Sequence, residues 1–498
     1  MKILFIGGTG IISTACAELA GLPAHRGLLA GALPPLVASL LTSSPYLQTG
    51  PVAVTSLLTF GALSSMAVPG SDEYVVLACL LALVVGVVRL ALGLLKAGSI
   101  TYLMSQPVLR GFTAAAALVI VAGQVPPLLG LDAGGRGAVE GAARALSSPG
   151  RWDAGALSLG LLTLGVILGG QRFLPRFPAV LLAVVGGTLL SAGYGWGGPR
   201  VGSAEVEFLF SLDLPWSRLP SLFVSGALIA FVGFAEVASV AQYYAEQHRV
   251  PWDPDREFLS QGAANLASGL SGGFPVGGSL SRTSLAVLAD ARTRLAGGVA
   301  GATVLLFLPF AGLLSSLPRG VLAAIIIASV LRLLRPGPLL YLWKVARLQA
   351  AVGVATGILT LALAPHVEYA VMGGIALSLA VHLWREQKVK VTARELDGVL
   401  VLKPMGVIWF GSAPLLRQAL VGELARHRSV RNVLVDLSAV GRIDVSGALV
   451  LREVVLGGAA AGLDVSFCFI PPHAERILGS VCADIKRSQE RTAAALLG

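Results

Sequence analysis

The stretch from Phe274 to Arg294, FPVGGSLSRTSLAVLADARTR, contains the side chains with the clearest chemistry. A glycine pair near its start is followed by Ser279, Ser281 and Arg282, and long apolar segments lie on both sides. A charge at membrane depth is costly and usually faces a cavity or a substrate. A helix that begins at a glycine break turns unbonded backbone N–H groups and the positive end of its dipole toward the same point. These features together predict an anion-binding site.

The amino-acid composition indicates a membrane protein. Of the 498 residues, 55% are apolar and 13% are charged, and the mean hydropathy is +0.79. Soluble domains carry roughly 25% charged residues. The net charge of +10 does not indicate nucleic-acid binding, because the Lys and Arg residues lie mostly in short loops between apolar segments. The cysteines lack the spacing of a disulfide framework or a metal site, and we expect neither a metal nor another cofactor.

Apolar stretches that could cross a membrane follow one another along most of the chain. Fourteen candidates lie near residues 3–20, 27–43, 51–67, 74–97, 107–130, 154–171, 177–196, 221–247, 257–273, 279–292, 295–316, 319–334, 349–365 and 367–385. The third follows the lead-in SSPYLQTGP, and the tenth follows GGFPVGGS. The third and the tenth spans are seven spans apart. This spacing is expected of two seven-helix repeats with inverted topology, in which broken helices face a shared site.

The predicted substrate site joins the starts of the third and tenth spans. We expect it to include Gly50, Pro51, Val52, Ala53, Gly278, Ser279, Leu280, Ser281 and Arg282. The arginine could instead pair with Asp290 or Glu236 and hold the helices together, and the serines could serve only as helix caps. The position of Arg282 on a helix that begins at glycine favours anion binding.

Two acidic residues within the predicted spans are candidates for binding a coupling ion. Glu236 lies in FVGFAEVASV without a Lys or Arg nearby in the sequence. A low-dielectric setting disfavours a charged carboxylate, which suits a group that binds and releases a proton; a packing hydrogen bond is the alternative. Together with Ser239, Glu236 could also supply oxygen ligands to sodium. Glu18 is a weaker candidate, because it lies near the outer end of the first span and could reach the interface.

The sequence changes character after about Lys388. Charged residues are spread through the remainder, with strand candidates at 398–403, 406–409, 432–437 and 464–469. Helix candidates lie near 412–427, 445–461 and 472–482. This alternation predicts a small sheet covered by helices. We therefore divide the chain into a transmembrane domain, 1–387, and a soluble α/β domain, 388–498.

The distribution of basic residues predicts the orientation of the spans. If the N-terminus is cytoplasmic, the even-numbered spans end on the cytoplasmic side. Most pairs of basic residues then lie on that side as well. These pairs are Arg172 and Arg176, His248 and Arg249, Arg292 and Arg294, Arg332 and Arg335, Lys344 and Arg347, and Arg385 and Lys388. We predict a multi-pass protein of the inner (plasma) membrane, with the N-terminus and the C-terminal domain in the cytoplasm.

Several segments along residues 14–498 resemble one family. They are AELAGLP (17–23), GPVAVTSLL (50–58), QPVLRGFTAAAALVI (106–120), GFAEVASVAQ (233–242), DPDREFLSQGAANLASGLSGGFPVGGSLSRT (253–283) and VLVDLSAVGRIDVSGALVL (433–451). Together they resemble the sulfate permease and solute-carrier anion transporters of the SulP type, which end in a cytoplasmic STAS domain. The resemblance implies two inverted seven-helix repeats arranged as core and gate domains, usually in a homodimer, with the anion between helices three and ten.

The first thirteen residues depart from the pattern of that family. The family carries Pro-Gln in the middle of helix one, where this sequence has Ile11 and Ile12, and the glutamine commonly faces the substrate. MKILFIGGTGIIS looks more like the opening strand and glycine turn of a Rossmann domain. The acidic residue that such a domain needs about 20 positions later is missing, however. The sequence therefore leaves two main explanations open, an unusual first helix or a misassigned start of the chain.

The IDVSG turn of the STAS region contains Asp444 and Ser446. In bacterial regulators of this fold, a serine of the corresponding DSSG motif is phosphorylated, which makes the turn a candidate regulatory site. Here Val445 replaces one serine. We favour the alternative that Asp444 and Ser446 cap the following helix, with Gly447 allowing close packing.

The sequence thus predicts a secondary active transporter of a small anion, with sulfate or a C4-dicarboxylate favoured and a proton as coupling ion. The alternatives are a sodium-coupled bicarbonate transporter, an uncoupled anion channel and a sensor that signals through the STAS domain. No Walker loop, HExxH motif or nucleophile–base pair indicates an enzyme. The expected partners are a small inorganic or organic anion, a coupling proton or sodium ion, the lipid bilayer and a second copy of the chain, but not nucleic acid.

Overall fold

The computed structural model describes residues 2–103, 105–132, 137–173, 179–200, 214–334 and 336–482. The chain divides into two compact units, residues 1–376 and 377–498. The first is almost entirely helical, and the second combines a sheet with helices. One helix crosses this division and ends at Glu386, and the domain boundary after residue 387 stays a prediction.

The helices that precede the sheet follow the apolar stretches of the sequence. They are α1 (Lys2–Leu19), α2 (Ala24–Leu41), α3 (Ala53–Leu63), α4 (Asp72–Leu94), α5 (Gln106–Leu128), α6 (Ala138–Leu146), α7 (Ala154–Phe173), α8 (Ala179–Tyr194), α9 (Leu219–His248), α10 (Pro254–Leu270), α11 (Leu280–Leu288), α12 (Leu295–Phe307), α13 (Arg319–Val330), α14 (Gly337–Val345), α15 (Arg347–Ala362) and α16 (Val367–Glu386). Each predicted stretch overlaps one of these helices, and α6 and α14 lie outside the predicted stretches. The segment that looked like a Rossmann strand is helical, as part of α1.

Several of these helices match the thickness of a bilayer. Six helical segments among the described residues are long and apolar enough to cross a membrane, judged by length and composition: Ala24–Leu41, Asp72–Leu94, Gln106–Leu128, Trp216–His248, Leu295–Gly312 and Val367–Glu386. Shorter apolar helices include α3, α8, α13 and α15. The total of fourteen spans stays a prediction.

Glycines allow α4 and α10 to pack backbone against backbone. A Cβ atom at Gly262 of α10 would lie 2.8 Å from the backbone nitrogen of Leu90, and one at Gly269 would lie 2.7 Å from the carbonyl oxygen of Cys79. Helices in lipid associate through such close approaches of small residues, because no hydrophobic driving force acts between them there. The contact fixes the helix that leads into the glycine-marked segment 272–278.

Two very short strands connect distant parts of the first unit. β1 (Thr49–Gly50) and β2 (Gly277–Gly278) pair in an antiparallel arrangement. β1 precedes α3, and β2 precedes α11. The helices of the predicted third and tenth spans therefore begin side by side.

In its described residues, 377–482, the second unit has a five-stranded sheet and three helices that follow α16. The strands are β3 (Lys390–Leu396), β4 (Val399–Ile408), β5 (Asn432–Asp436), β6 (Val440–Ile443) and β7 (Asp464–Cys468), and the helices are α17 (Ala413–Arg426), α18 (Val445–Ala460) and α19 (Pro472–Val481). The strand order is β3-β4-β5-β7, with β6 beside β4, and β3 is antiparallel to β4 while the other pairs are parallel. The predicted α/β architecture is confirmed.

The sheet differs from its prediction in two details. The predicted strands 398–403 and 406–409 form the single strand β4, which pairs with β6 through a register shift between Gly406 and Val407. β3 and β6 were not predicted. β3 alternates charged and apolar residues as an edge strand with no fully buried residue, and β6 has only four residues, so neither shows the apolar run of a buried strand.

An ion pair between a buried carboxylate and a partly exposed lysine lies where β5 ends. Asp436 is 2% exposed, and its Oδ2 lies 3.0 Å from Nζ of Lys403. Burial alone would raise the pKa of Asp436, but hydrogen bonds from Ser438 and Lys403 hold this pKa below its usual value. The carboxylate is therefore charged at neutral pH, and its contribution to stability would be lost as the pH falls through that lowered pKa.

We expect the substitution Gly262→Ala to destabilise the first unit. The added methyl group would lie 2.8 Å from the nitrogen of Leu90 and 3.0 Å from the oxygen of Gly86, both backbone atoms. Overpacking of this kind costs about 1–3 kcal/mol, so thermal unfolding of the purified protein in detergent should show a lower Tm.

The matched control for this substitution is Gly165→Ala. No neighbouring atom lies within 4 Å of a Cβ at Gly165 in α7, and alanine favours helix more than glycine does, so the Tm should stay the same or rise. Equal Tm values for wild type and Gly262→Ala would contradict the close packing of α4 and α10.

Candidate anion-binding site

The candidate site forms where β1 and β2 pair. Gly50 lies opposite Gly277 in the register, and the backbone nitrogen of Ser279 donates to the carbonyl oxygen of Gln48 at 2.9 Å. Each strand leads directly into a helix, so the N-terminal ends of α3 and α11 meet here. Helix N-termini offer N–H donors and partial positive charge, which makes this junction suited to an anion.

Arg282 lies at this junction and is 2% exposed. Its Nη2 donates to the carbonyl of Pro51 and its Nη1 to that of Thr49, while its Nε has no hydrogen-bond partner among the described residues. Asp290, one alternative partner, pairs instead with Arg292 at 3.1 Å. Within the described ranges no carboxylate lies at ion-pairing distance from Arg282. The alternative in which Arg282 pairs with Asp290 or Glu236 is therefore not seen among these residues, and the guanidinium has only backbone carbonyls as partners there.

Gly50 is required by the position of this guanidinium. Its φ of +150° lies in the region that favours glycine, and a Cβ there would lie 1.9 Å from Nη1 of Arg282. Any side chain would displace the arginine. The sequence predicted Gly50 as a substrate contact, and the structure adds this second reason for a glycine at the position.

Ser279 is the N-cap residue of α11, as the alternative interpretation proposed for the serines, whereas Ser281 lies within the first turn of the helix. The Oγ of Ser279 accepts from the backbone nitrogen of Arg282 at 3.4 Å and lies 3.2 Å from the Oγ of Ser281. Gly278 is buried, whereas the side chain of Leu280 is 46% exposed. Leu280 would therefore contribute through its backbone. Contact of any of these residues with a substrate stays a prediction.

The start of α3 keeps its N–H groups available. Val52 is the N-cap residue and makes no side-chain cap, while its carbonyl accepts from the backbone nitrogen and the hydroxyl of Ser56. The first N–H groups of the helix, from Ala53 onward, have no partner within their own helix. Pro51 has no N–H group, and its carbonyl holds Arg282.

Glu236 lies on α9 beside the paired strands. The next residue, Val237, borders Gly278, where a Cβ would lie 3.3 Å from its Cγ2. The Oε2 of Glu236 is buried and has no hydrogen-bond partner in the described part of the chain, which differs from the packing hydrogen bond weighed as the alternative. Ser239 donates to the carbonyl of Ala235 at 2.8 Å, which leaves the lone pairs of its hydroxyl for other partners.

Glu18 lies in a different place from the other predicted site residues. It lines a cavity of about 180 Å³ together with Gln124 of α5, Leu57 and Phe60 of α3, and mostly apolar neighbours. The lining includes none of the predicted substrate contacts. The structure thus separates Glu18 from the junction that holds Arg282, and its role as a coupling residue stays a prediction.

The sequence analysis missed a second buried arginine. Arg89 of α4 is 0% exposed. Its guanidinium donates to three backbone carbonyls, those of Ala230 (3.1 Å), Val276 (2.9 Å) and Ile229 (3.4 Å). The available signal in the sequence was a basic residue inside the apolar run VVGVVRLALGL.

A polar stripe on α10 was also missed. Its members are fully buried and recur at helical spacing: Glu257, Gln261, Asn265 and Ser268. The amide of Asn265 accepts from the nitrogen of Val276 at 2.9 Å and donates to its carbonyl at 3.1 Å. Gln261 donates to the hydroxyl of Thr49 at 2.8 Å. The stripe therefore fixes both lead-ins to the junction, and its period of three to four residues was visible in the sequence.

In the second unit, the predicted regulatory turn is a helix cap. The Oδ1 of Asp444 accepts from the nitrogen of Gly447 at 2.8 Å and begins α18. A Cβ at Gly447 would lie 2.4 Å from Cγ2 of Ile408, so this glycine permits close packing, as expected. Ser446 is half-buried, and its regulatory role stays a prediction.

Comparisons with known proteins agree with this architecture. The model of the sulfate permease family matches residues 12–356, and that of the STAS domain matches residues 390–481. A probable sulfate transporter of Mycobacterium tuberculosis is 33% identical over 376 residues, which cover 73% of this chain and 66% of the relative. The chain thus spans just under two thirds of that relative. The sodium-independent sulfate anion transporter of Bos taurus is 27% identical, with coverage of 98% and 86%.

Two solved structures are also similar. The murine Solute Carrier 26 family member A9 anion transporter in the inward-facing state superposes with a TM-score of 0.89 at 19% identity, over 100% of this chain and 90% of that one. The transmembrane domain of a cyanobacterium bicarbonate transporter, BicA, gives a TM-score of 0.65 at 25% identity, over 74% of this chain and 97% of that one.

We expect Gly50→Ala to reduce binding of labelled sulfate by the purified protein at least tenfold. The new methyl group would occupy the position of Nη1 of Arg282 and adopt an unfavourable φ; misplaced binding groups of this kind cost about 10²-fold. Gly186→Ala is the control, since no neighbouring atom lies within 4 Å of its Cβ position. Unchanged sulfate binding by a folded Gly50→Ala protein would contradict the assignment of the site.

Proposed function

This chain belongs to the sulfate permease family, and from that premise we propose that it is a secondary active transporter of a small anion. Sulfate or a C4-dicarboxylate is the favoured substrate, and a proton is the proposed coupling ion. The observation that carries the proposal is the buried, carbonyl-held and otherwise unpaired guanidinium of Arg282 between two helix N-termini. Family membership supports transport rather than enzymatic catalysis.

The junction offers an anion several kinds of donor at once. Arg282 has one nitrogen without a hydrogen-bond partner among the described residues, and the first turns of α3 and α11 present backbone N–H groups. Two hydroxyl groups, of Ser279 and Ser281, lie beside them. Each helix N-terminus adds roughly half a positive charge. An oxyanion or carboxylate bound here would exchange water for fixed, oriented dipoles.

Glu236 is the proposed proton carrier. Its buried Oε2 lacks a partner among the described residues, and a charged carboxylate near the junction would repel an incoming anion. Protonation removes that repulsion, so anion and proton binding would favour each other. Alternating access would then follow from movement of a core that carries α3 and α11 against a gate, and Glu18 is the second candidate for coupling.

A sodium-coupled bicarbonate transporter is the second candidate function. The similarity to the transmembrane domain of BicA favours it, and the oxygens of Glu236 and Ser239 could bind sodium. An uncoupled channel would show no uphill flux, and a sensor would show binding without flux. We further propose that the protein is a homodimer in the inner membrane, with the N-terminus and the STAS domain in the cytoplasm.

Proteoliposomes should take up labelled sulfate or fumarate against a gradient when an inward proton gradient is imposed. Arg282→Ala should lower this uptake to background, because it removes the fixed charge, while the protein still elutes as a folded species. Arg200→Gln, which changes an arginine held by Ser191, is the control and should transport normally. Wild-type uptake by Arg282→Ala would refute the anion site, and uptake of bicarbonate driven only by sodium would favour the second candidate.

Glu236→Gln should remove the pH dependence of uptake, because an amide neither binds nor releases a proton at these pH values. Uptake down a substrate gradient should persist and should no longer respond to an imposed proton gradient. The measurement is the initial rate from pH 5 to 8 for both proteins. A pH profile identical to wild type would exclude Glu236 as the proton carrier.

A further inference from the structure

Arg89 is a second buried cation at the junction. It is 0% exposed, its partners are backbone carbonyls, and no carboxylate in the described ranges lies at ion-pairing distance. Removing a guanidinium from water without a counter-ion is expensive, and arginine does not escape this cost by losing its proton. The charge of Arg89 therefore stays on the protein.

Arg89 and Arg282 hold opposite strands of the same pair. Arg89 donates to the carbonyl of Val276, which precedes β2, and Arg282 donates to the carbonyl of Pro51, which follows β1. Gly50 lies opposite Gly277, so continuing the register by one residue sets Pro51 opposite Val276. Facing residues of antiparallel strands have Cα atoms roughly 4.5–5.5 Å apart. The two guanidinium groups thus bond to facing positions of the paired segments.

The charge of Arg89 exceeds what positioning alone requires. Asn265 already accepts from the nitrogen of Val276 and donates to its carbonyl. A neutral amide at residue 89 has two N–H donors and could serve the two remaining carbonyls, those of Ala230 and Ile229, with less desolvation. A fixed positive charge, however, acts twice as strongly on a dianion as on a monoanion. This difference holds whatever the other charges around the junction are, including those of Glu236 and Glu257.

We propose that Arg89 is a positioning residue that sets the preference of the site for divalent over monovalent anions. It holds Val276 in place ahead of β2 and adds a second fixed charge to that of Arg282. The substrate is then a dianion such as sulfate or a dicarboxylate. This inference rests on the proposed anion site at Arg282.

Two variants at this position separate charge from hydrogen bonding. Arg89→Lys keeps the charge but loses most of the donors, whereas Arg89→Gln keeps a donor and loses the charge. In proteoliposomes, inhibition of labelled-sulfate uptake by unlabelled sulfate and by formate gives the preference for dianion over monoanion. Arg89→Gln should lower this preference on the order of tenfold, since a dianion loses twice as much interaction with the missing charge as a monoanion does. Arg89→Lys and the control Arg200→Gln should stay within about twofold of wild type.

A second measurement uses Arg89→Lys alone and serves if Arg89→Gln does not fold. A buried lysine loses its proton more readily than an arginine. Raising the pH from about 8 to about 10 should therefore lower the dianion preference of Arg89→Lys but not that of wild type. A preference that does not change with pH in the lysine variant would overturn the inference.

The remaining outcomes separate this inference from the proposed function. Equal effects of Arg89→Lys and Arg89→Gln, or an unchanged preference in Arg89→Gln, would show that Arg89 is only structural. A wild-type protein that prefers formate over sulfate would also overturn the dianion preference, while leaving an Arg282-dependent anion site intact. Uptake that survives Arg282→Ala would remove the proposed site itself.

Discussion

The pairing of β1 with β2 is the constraint on which the rest of the first unit depends. Only two residues of each strand pair, yet this contact sets the starting points of both α3 and α11. Short strands have little stability of their own, so the surrounding helices must hold them. Asn265 and Gln261 from α10, Arg89 from α4 and Arg282 from α11 bond to the strands or to adjoining residues. The polar interior of this membrane unit therefore serves to keep two helix ends together.

Much of this arrangement could be predicted from the sequence. The apolar runs located the helices because a lipid-exposed segment must satisfy its backbone internally, and glycine and proline before the third and tenth spans marked the broken helices. The partners of Arg282 could not be predicted, since backbone carbonyls carry no sequence signal. Arg89 and the polar stripe of α10 had a signal in their spacing, but nothing in the sequence says which neighbouring element receives a buried donor.

The second unit was predicted less completely for a different reason. Buried parallel strands such as β5 show an uninterrupted apolar run, whereas the edge strand β3 depends on pairing with β4 and mixes charged, polar and apolar residues. The location of Glu18 away from the junction depends on how α1 packs against α3 and α5. That packing could not be predicted from the position of Glu18 in the sequence.

The carbonyl partners of Arg282 have a consequence for how tightly any anion could be held. The guanidinium makes hydrogen bonds to the carbonyls of Thr49 and Pro51. An anion would compete with these internal acceptors, so its net gain is the difference between two sets of hydrogen bonds rather than the whole of one. This competition would limit the affinity of the site for an anion and would shorten the time for which the anion stays bound. A carrier must release its cargo on every cycle, and modest affinity with rapid dissociation would suit turnover better than strong capture.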